Sequence, residues 1–395
     1  MPTTRRNVLK AAAAAPLFVP SSAFGANDRL TFAAIGTGSR GGYLHESLMK
    51  LGAQCVAVCD VYKPNLEKAR SISPAGVKTF VDHHDALALK GLDFVMIGAP
   101  DHHHYPMLVD SLKAGVDAYL EKPVSRNLDE SAKLVAAMRD SKQIVQVGMQ
   151  RRSTKFIQEA RQFLQDGAIG EISLVEAYWN WHFDLPLDNA PLPGELDWQR
   201  FLGAAPKRAI EPRRFRWWRA FWDYCGGNCT DQGTHLMDVV QWLTGSEPPM
   251  SASCHGKVIN APGAEVPNVF SAVFEYPKFL ATWTLDYRSA FEYDWWIQFR
   301  GEKGTLVLNR FGSQLWDSPG GSPTPWTQQA AKKVKDTPGN FDTVPHLQNF
   351  LDSVRSRKQP NSTVEVATKS VAGPHLANIA YREQRRVKFA NGKVS

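Results

Sequence analysis

Several groups of residues in this 395-residue chain have the types and spacing that chemistry needs. The first is GTGSRG, residues 36–41, set between an apolar strand-like run at 29–35 and a helix-like stretch at 42–51. A second strand-like run, CVAVCD, ends at Asp60, 24 positions after Gly36. In that setting Gly36 permits a tight turn, Gly38 lets the backbone approach a pyrophosphate, and Gly41 lets helix and strand pack closely. Thr37, Ser39 and Arg40 complete the loop, whose N–H groups open the helix and face the phosphate charge. Asp60 suits the two hydroxyls of a ribose and repels a 2′-phosphate, which favours NAD. A nearby lysine, Lys63, keeps NADP open.

The second group, DQGTHLMD, separates Asp231 from His235 by one helical turn, so both project from one face. Oxidising a carbinol requires a base for the hydroxyl proton as hydride leaves, and a histidine beside an orienting carboxylate can supply it. Asp238, one position short of a further turn, fits less well. Other clusters read as packing. His102, His103 and His104 lie in PDHHH, read as a loop whose consecutive side chains diverge, so at most one serves the site. Cys225 and Cys229 stand near Asp231 and His235, but their spacing belongs to no zinc ribbon or finger, and no metal is expected. Five cysteines leave at least one unpaired within the chain. Cys55 and Cys59 fall on one face of a buried strand.

These residues need a scaffold. Apolar runs at 93–98, 116–120 and 144–148 alternate with helical stretches at 105–114 and 128–140. The expected fold class is therefore α/β, with an N-terminal Rossmann domain, a doubly wound parallel sheet, over 26–150. Such sheets bind ligands at the carboxyl ends of their strands. Asp60, PDHHH from Pro100, EKP from Glu121 and QRR from Gln150 all fall there. Beyond residue 150 the pattern changes to a helix at 156–166 and strand-like runs beginning at Ile172, Asn268, Phe279, Trp295 and Thr305. Their alternation predicts an α+β domain over 151–395 with an open, mainly antiparallel sheet. Late helices are expected at 346–356 and 365–382, the second packing back on the nucleotide domain. Residues 317–325 read as a loop and 326–340 as polar and mobile.

Trp179, Trp181, Trp198, Trp217, Trp218 and Trp222 are interleaved with Arg213, Arg214, Arg216 and Arg219. Flat rings cover the apolar faces of pyranoses, and arginine forks hold hydroxyls or carboxylates. Trp179 and Trp181, at a strand end, are the expected sugar contacts; most of the others fill a core or an interface. The formal charge of +7 falls to +4 once Arg5, Arg6 and Lys10 are set aside, and no block of like charge remains. Nucleic-acid binding is accordingly disfavoured. Those three residues belong to TTRRNVLKAAAAAPLFVP, which has the pattern of a twin-arginine signal within residues 1–25. Its apolar run is too short and too Pro-broken to span a membrane. A periplasmic or otherwise exported protein that folds before it crosses is expected.

Taken in order, GTGSRG, PDHHH, EKP and DQGTHLMD resemble the Gfo/Idh/MocA oxidoreductases, the family of glucose-fructose oxidoreductase and inositol dehydrogenase, over essentially the whole mature chain. The resemblance implies that Lys122 of EKP lies beside the nicotinamide, with Glu121 and Gln150 at the cofactor. It also implies that Pro123 follows an unusual peptide bond, that Pro100 and His104 lie near the cofactor, and that Asp231 and His235 meet the substrate. Lys122 and His235 then compete for the role of base. It further implies a second-domain sheet available for homo-oligomer contacts, in a dimer or tetramer. Nicotinamide cofactors are made in the cytoplasm, so an exported enzyme must carry its own and return each hydride before the next turnover. Transfer from a sugar to a second carbonyl compound closes that cycle. The alternative is an NAD-dependent glycoside hydrolase or lyase that works by transient oxidation and elimination.

Overall fold

The computed structural model describes residues 29–318 and 330–395; the signal at 1–25 and most of the 317–325 loop lie outside the described residues. Six strands, β1 (Thr31–Ile35), β2 (Gln54–Cys59), β3 (Lys78–Phe80), β4 (Phe94–Ile97), β5 (Asp117–Leu120) and β6 (Val145–Val147), form the first sheet. It is parallel throughout, in the order β3-β2-β1-β4-β5-β6. The connecting helices are α1 (Ser39–Lys50), α2 (Lys63–Ile72), α3 (His83–Leu87), α4 (Asp101–Lys113) and α5 (Leu128–Arg139). Strands β4 and β5 are buried at every position, because helices cover both faces. One expectation changes here: α4 starts immediately after Pro100, so the PDHHH histidines form its first turn and not a loop.

The second half contributes α6 (Lys155–Gln165), α7 (Trp198–Leu202), α8 (Pro212–Arg216), α9 (Gly227–Thr244), α10 (Val344–Ser356) and α11 (Val364–Glu383). Its strands are β7 (Ile172–Asn180), β8 (Ser251–Lys257), β9 (Val269–Glu275), β10 (Leu280–Asp286), β11 (Asp294–Gly301), β12 (Gly304–Asn309), β13 (Gly312–Asp317), β14 (Lys333–Pro338), β15 (Val387–Ala390) and β16 (Lys393–Val394). They form one ten-stranded sheet in the order β14-β13-β12-β11-β7-β10-β9-β8-β15-β16, antiparallel except for the parallel pair β7 and β10. Strand β14 lies inside the segment expected to be polar and mobile. It is polar because it is a sheet edge, largely exposed and paired only with β13.

One face of the large sheet is dry. Leu236, Val240 and Leu243 of α9 and Leu376 of α11 pack there against Phe274, Trp283 and Phe299. The other face stays open, with Tyr178 stacked on Trp296 at 4.2 Å and Val273 and Leu280 exposed. The two late helices also complete the first domain. Leu347, Phe350 and Leu351 of α10 cover one face of the parallel sheet, while Val364, Ala367 and Val371 at the start of α11 cover the other. All five cysteines are buried and unpaired, and Cys55 and Cys59 do not share a face as expected: a register shift where β2 pairs with β1 turns Cys55 to one side of the sheet and Cys59 to the other. Cys225 and Cys229 flank the start of α9, where Gly227 takes φ +62° and a Cβ would stand 1.9 Å from Val266.

Candidate active site

A cleft of about 1120 Å³ opens at the carboxyl ends of β1, β2, β4 and β5, roofed by α7 and α8. Its floor is the 36–41 loop. Gly36 sits at φ +75°, and a Cβ there would lie 2.6 Å from the Ala99 nitrogen. A Cβ on Gly41 would lie 1.8 Å from the Gly36 carbonyl oxygen, so helix and strand meet backbone to backbone. Around Gly38 a Cβ would meet only the Asn65 amide, at 3.5 Å, and the backbone there is open to the cleft. Thr37 donates its N–H and hydroxyl to Asp60 Oδ2 at 2.8 and 3.2 Å, and Tyr62 N–H donates to Oδ1 at 2.8 Å. Burial pushes the Asp60 carboxyl up, and these hydrogen bonds work against that shift. Lys63 is paired with Glu195 at 3.1 Å. The open backbone at Gly38, beside a helix start and a carboxylate, fits a dinucleotide's phosphates and ribose.

The chemical end lies where β5 runs into EKP. The Lys122–Pro123 peptide is cis. Lys122 Nζ donates to Asp231 Oδ1 at 2.7 Å and to the Asp231 carbonyl at 2.9 Å. Arg219 Nε stands 3.1 Å from the same Oδ1, with its guanidinium 4.0 Å from the centre of the Trp218 ring. Burial alone would raise the Asp231 carboxyl, but Arg219 and Lys122 outweigh it and hold the group well below the usual carboxylate range. One turn along α9, burial pushes His235 well below its ordinary value, and Lys122 and Arg151 add to the shift. His235 is therefore a neutral imidazole beside an ionised carboxylate. Its Nδ1 is buried without a partner, which leaves Nε2 as the nitrogen open to the cleft. Gln150 also lines the cleft, its Oε1 buried and unpartnered. Glu121 accepts from Arg40 Nε at 2.9 Å and so ties EKP to the nucleotide loop.

Residues 30–149 match the oxidoreductase family's NAD-binding Rossmann fold, and residues 157–307 match the GFO/IDH/MocA C-terminal domain. The chain belongs to the Gfo/Idh/MocA family. Among its relatives, scyllo-inositol 2-dehydrogenase (NAD(+)) of Bacillus subtilis is 26% identical over 237 residues, 59% of each chain. The chain spans about half the length of the first curated relatives it matches. Two solved structures share the fold over nearly their full length. Aldose-aldose oxidoreductase from Caulobacter crescentus has a TM-score of 0.69 at 16% identity, with 91% of this chain and 100% of that one covered. The WlbA dehydrogenase of Bordetella pertussis, solved with NADH and UDP-GlcNAcA, has a TM-score of 0.70 at 18% identity, covering 92% and 99%.

Within this Gfo/Idh/MocA site several residues stand elsewhere than their motifs suggested. His104 does not line the cleft; it sits beneath it, between the carbonyls of Pro123 at 2.6 Å and Ala99 at 2.8 Å, and holds two site loops together. His102 and His103 converge instead of diverging. Both reach the Phe201 carbonyl, at 2.7 and 2.8 Å, because they start a helix that faces the end of α7. Asp238 serves the scaffold, paired with Arg152 at 2.7 Å and with Ser370. Trp179 is in the core behind His235 and does not line the cleft. Trp181 stacks on Tyr287 at 5.5 Å and lines a side chamber of about 320 Å³ with Trp217, Trp218, Arg216 and Arg219. Cys225 turns its sulfur to backbone carbonyls and Cys229 to that of Pro374.

Two site residues had no motif of their own. Arg219 was one arginine among four. Asp101, inside PDHHH, lines the cleft with Oδ2 buried and unpartnered, and burial, then Asp231, pushes its carboxyl well up. The structure also shows a strap across the other end of the cleft. Glu195 carbonyl accepts from Lys63 N–H at 2.9 Å, Asp197 N–H donates to the Val61 carbonyl at 2.8 Å, and Arg200 reaches Asp82 at 3.3 Å. An apolar cluster of Trp198, Phe201, Leu202, Phe221 and Tyr224 seats the strap and contacts Val61.

Proposed function

We propose that this protein is a periplasmic oxidoreductase that carries its nicotinamide cofactor and passes hydride from one sugar to a second carbonyl compound. The observation that carries the chemistry is a neutral His235 one turn from an Asp231 held ionised by Lys122 and Arg219. The bound nicotinamide supplies the hydride acceptor. His235 Nε2 takes the proton of the sugar hydroxyl, and the Lys122 ammonium, positioned by Asp231, donates to the oxygen as it becomes a carbonyl. Arg219 keeps Asp231 from turning away. The second half-reaction runs the same proton path in reverse.

The aromatic side chamber and its arginines support a sugar or glycoside substrate. Relatives named inositol dehydrogenases, and a fold neighbour named aldose-aldose oxidoreductase, support the same class. The strap supports a retained cofactor, and the Arg5-Arg6 pattern supports export after folding. The exposed Val273 and Leu280 beside the Tyr178–Trp296 stack support a homo-oligomer through the open sheet face.

The test is to purify the mature protein without added nucleotide, denature it and identify what it releases. About one nicotinamide per chain is expected, followed by formation of an oxidised sugar and a reduced acceptor in matched amounts. An empty protein that exchanges NAD freely overturns the closed cycle. Free aglycone with no net redox change moves the reading to elimination.

A further inference from the structure

The side chamber beside the chemical end is unbalanced in charge. Arg216 and Arg219 line it against a single carboxylate, Asp231, and both arginines also line the main cleft. Asp231 is already taken: Lys122 Nζ lies 2.7 Å and Arg219 Nε 3.1 Å from its Oδ1. Arg216 is left with Asp188, whose Oδ1 stands 3.6 Å from Nη1, and with the Pro191 carbonyl, to which Nη2 donates at 2.7 Å. Asp188 is 62% exposed to water, and a long pair at such a rim offsets little charge. Asp101, on the cleft side, is pushed well up by burial and then by Asp231, which takes it toward the neutral form. The chamber therefore keeps about one positive charge without an anion of its own.

Arg219 is also placed to present a fork. Its Nε is held by Asp231 and its guanidinium by the Trp218 ring, yet among the described residues none accepts from either Nη. The side chain is 45% exposed where cleft and chamber meet. A guanidinium oriented by a ring and a carboxylate, with its outer N–H groups free, matches a second carboxylate edge to edge. The adjoining wall is the start of α9, which brings Asn228 and Gln232 to the chamber. Its first turn holds no acidic residue and no side chain caps it, so the helix end adds positive character. The remaining walls are aromatic: Trp181, stacked on Tyr287, and Trp217. Flat walls beside one uncompensated cation describe a ligand with an apolar-faced ring and a single negative charge. A phosphate ester, with a charge of about −1.5 to −2 at neutral pH, exceeds that balance.

We propose that the chamber selects an acidic sugar, holding its carboxylate on the Arg219 fork beside the charge of Arg216 while the ring meets Trp181 and Trp217. This names the substrate class of the sugar oxidoreductase put forward above and rests on that reading. The test is calorimetric titration of the cofactor-retaining protein with D-glucuronate and D-galacturonate, beside D-glucose, D-galactose, acetate and glucose 6-phosphate. At least one acid should bind about 10–100-fold more tightly than its neutral counterpart, and added salt should narrow the gap. Arg216→Gln should narrow it several-fold, whereas Arg216→Lys, which keeps the charge, should preserve most of it. Neutral sugars bound as tightly as both acids overturn the proposal, as does acetate matching the acids or glucose 6-phosphate exceeding them. The wild-type series decides this without any variant. Product analysis separates the two readings: neutral sugars bound and oxidised in preference to the acids refute the acidic-sugar site alone, whereas acids bound in preference but never oxidised refute the redox reading.

Discussion

The two ends of the cleft are made from different materials. At the nucleotide loop six consecutive residues suffice, because the backbone forms the contact surface and the glycines only keep it clear. At the chemical end the groups are side chains delivered by distant elements: Lys122 meets Asp231 across 109 positions, and Arg219 arrives from a short 3-10 turn. A backbone site tolerates almost any neighbouring side chains but no added Cβ. A side-chain site tolerates backbone adjustment but not the loss of one charge.

The sharpest way to break that contrast is a methyl group in the loop. Gly41→Ala should abolish nucleotide retention and lower the yield of folded protein, since its Cβ would overlap the Gly36 carbonyl at 1.8 Å; nucleotide content after purification reads this directly. Full content in the variant would show that the loop is not backbone-packed. At the other end, Asp231→Ala leaves Lys122, 10% exposed, without its anion. A loss of about 3–5 kcal/mol is expected from urea unfolding, together with a fall in turnover. His235→Ala should instead keep both fold and nucleotide while turnover drops about 10²–10⁴-fold. If Lys122→Ala shows the larger loss and His235→Ala almost none, the base is Lys122.

A smaller effect sharpens the contrast through pH. Burial pushes His346 and His375 down to about 4, with His346 gaining part of this back through the Val147 carbonyl. Their folded values lie below the unfolded value of about 6.5, so the unfolded chain binds more protons once the pH drops under that value. Stability is then fully present above pH 6.5 and is lost as pH falls toward 4, at about 1.4 kcal/mol per pH unit for each group. Urea midpoints at pH 7, 6 and 5 should fall with steepening slope. A flat series would place both rings in contact with water.

The same contrast explains what the sequence could reveal. GTGSRG with Asp60 was readable because its parts are contiguous or fixed by one strand-helix-strand unit. Asp231 and His235 were readable because one helical turn joins them. Arg219 was not, since nothing local separates it from Arg213, Arg214 and Arg216, and only the fold brings it to Asp231. Trp179 misled for a related reason: a strand-end tryptophan can face a cleft or a core, and the side is set by the helix that covers the sheet. The strap had no signature, because Gly194 to Gly203 acts through backbone bonds and through packing against residues of the first domain.

The five buried cysteines bear on where such a protein can work. Burial raises the thiols of Cys55 and Cys254 to about 11 and 12, and pushes those of Cys225 and Cys229 well up too. Thiolate is the form that attacks disulfides, so at neutral pH almost none is available on any of these sulfurs, and oxidants must wait for the chain to open. A chain threaded unfolded into an oxidising compartment would present all five at once to a disulfide-forming catalyst. If the proposed export holds, a chain that crosses already folded would deliver them sealed, and the order of folding and transport, not any pairing, would keep the sulfurs reduced.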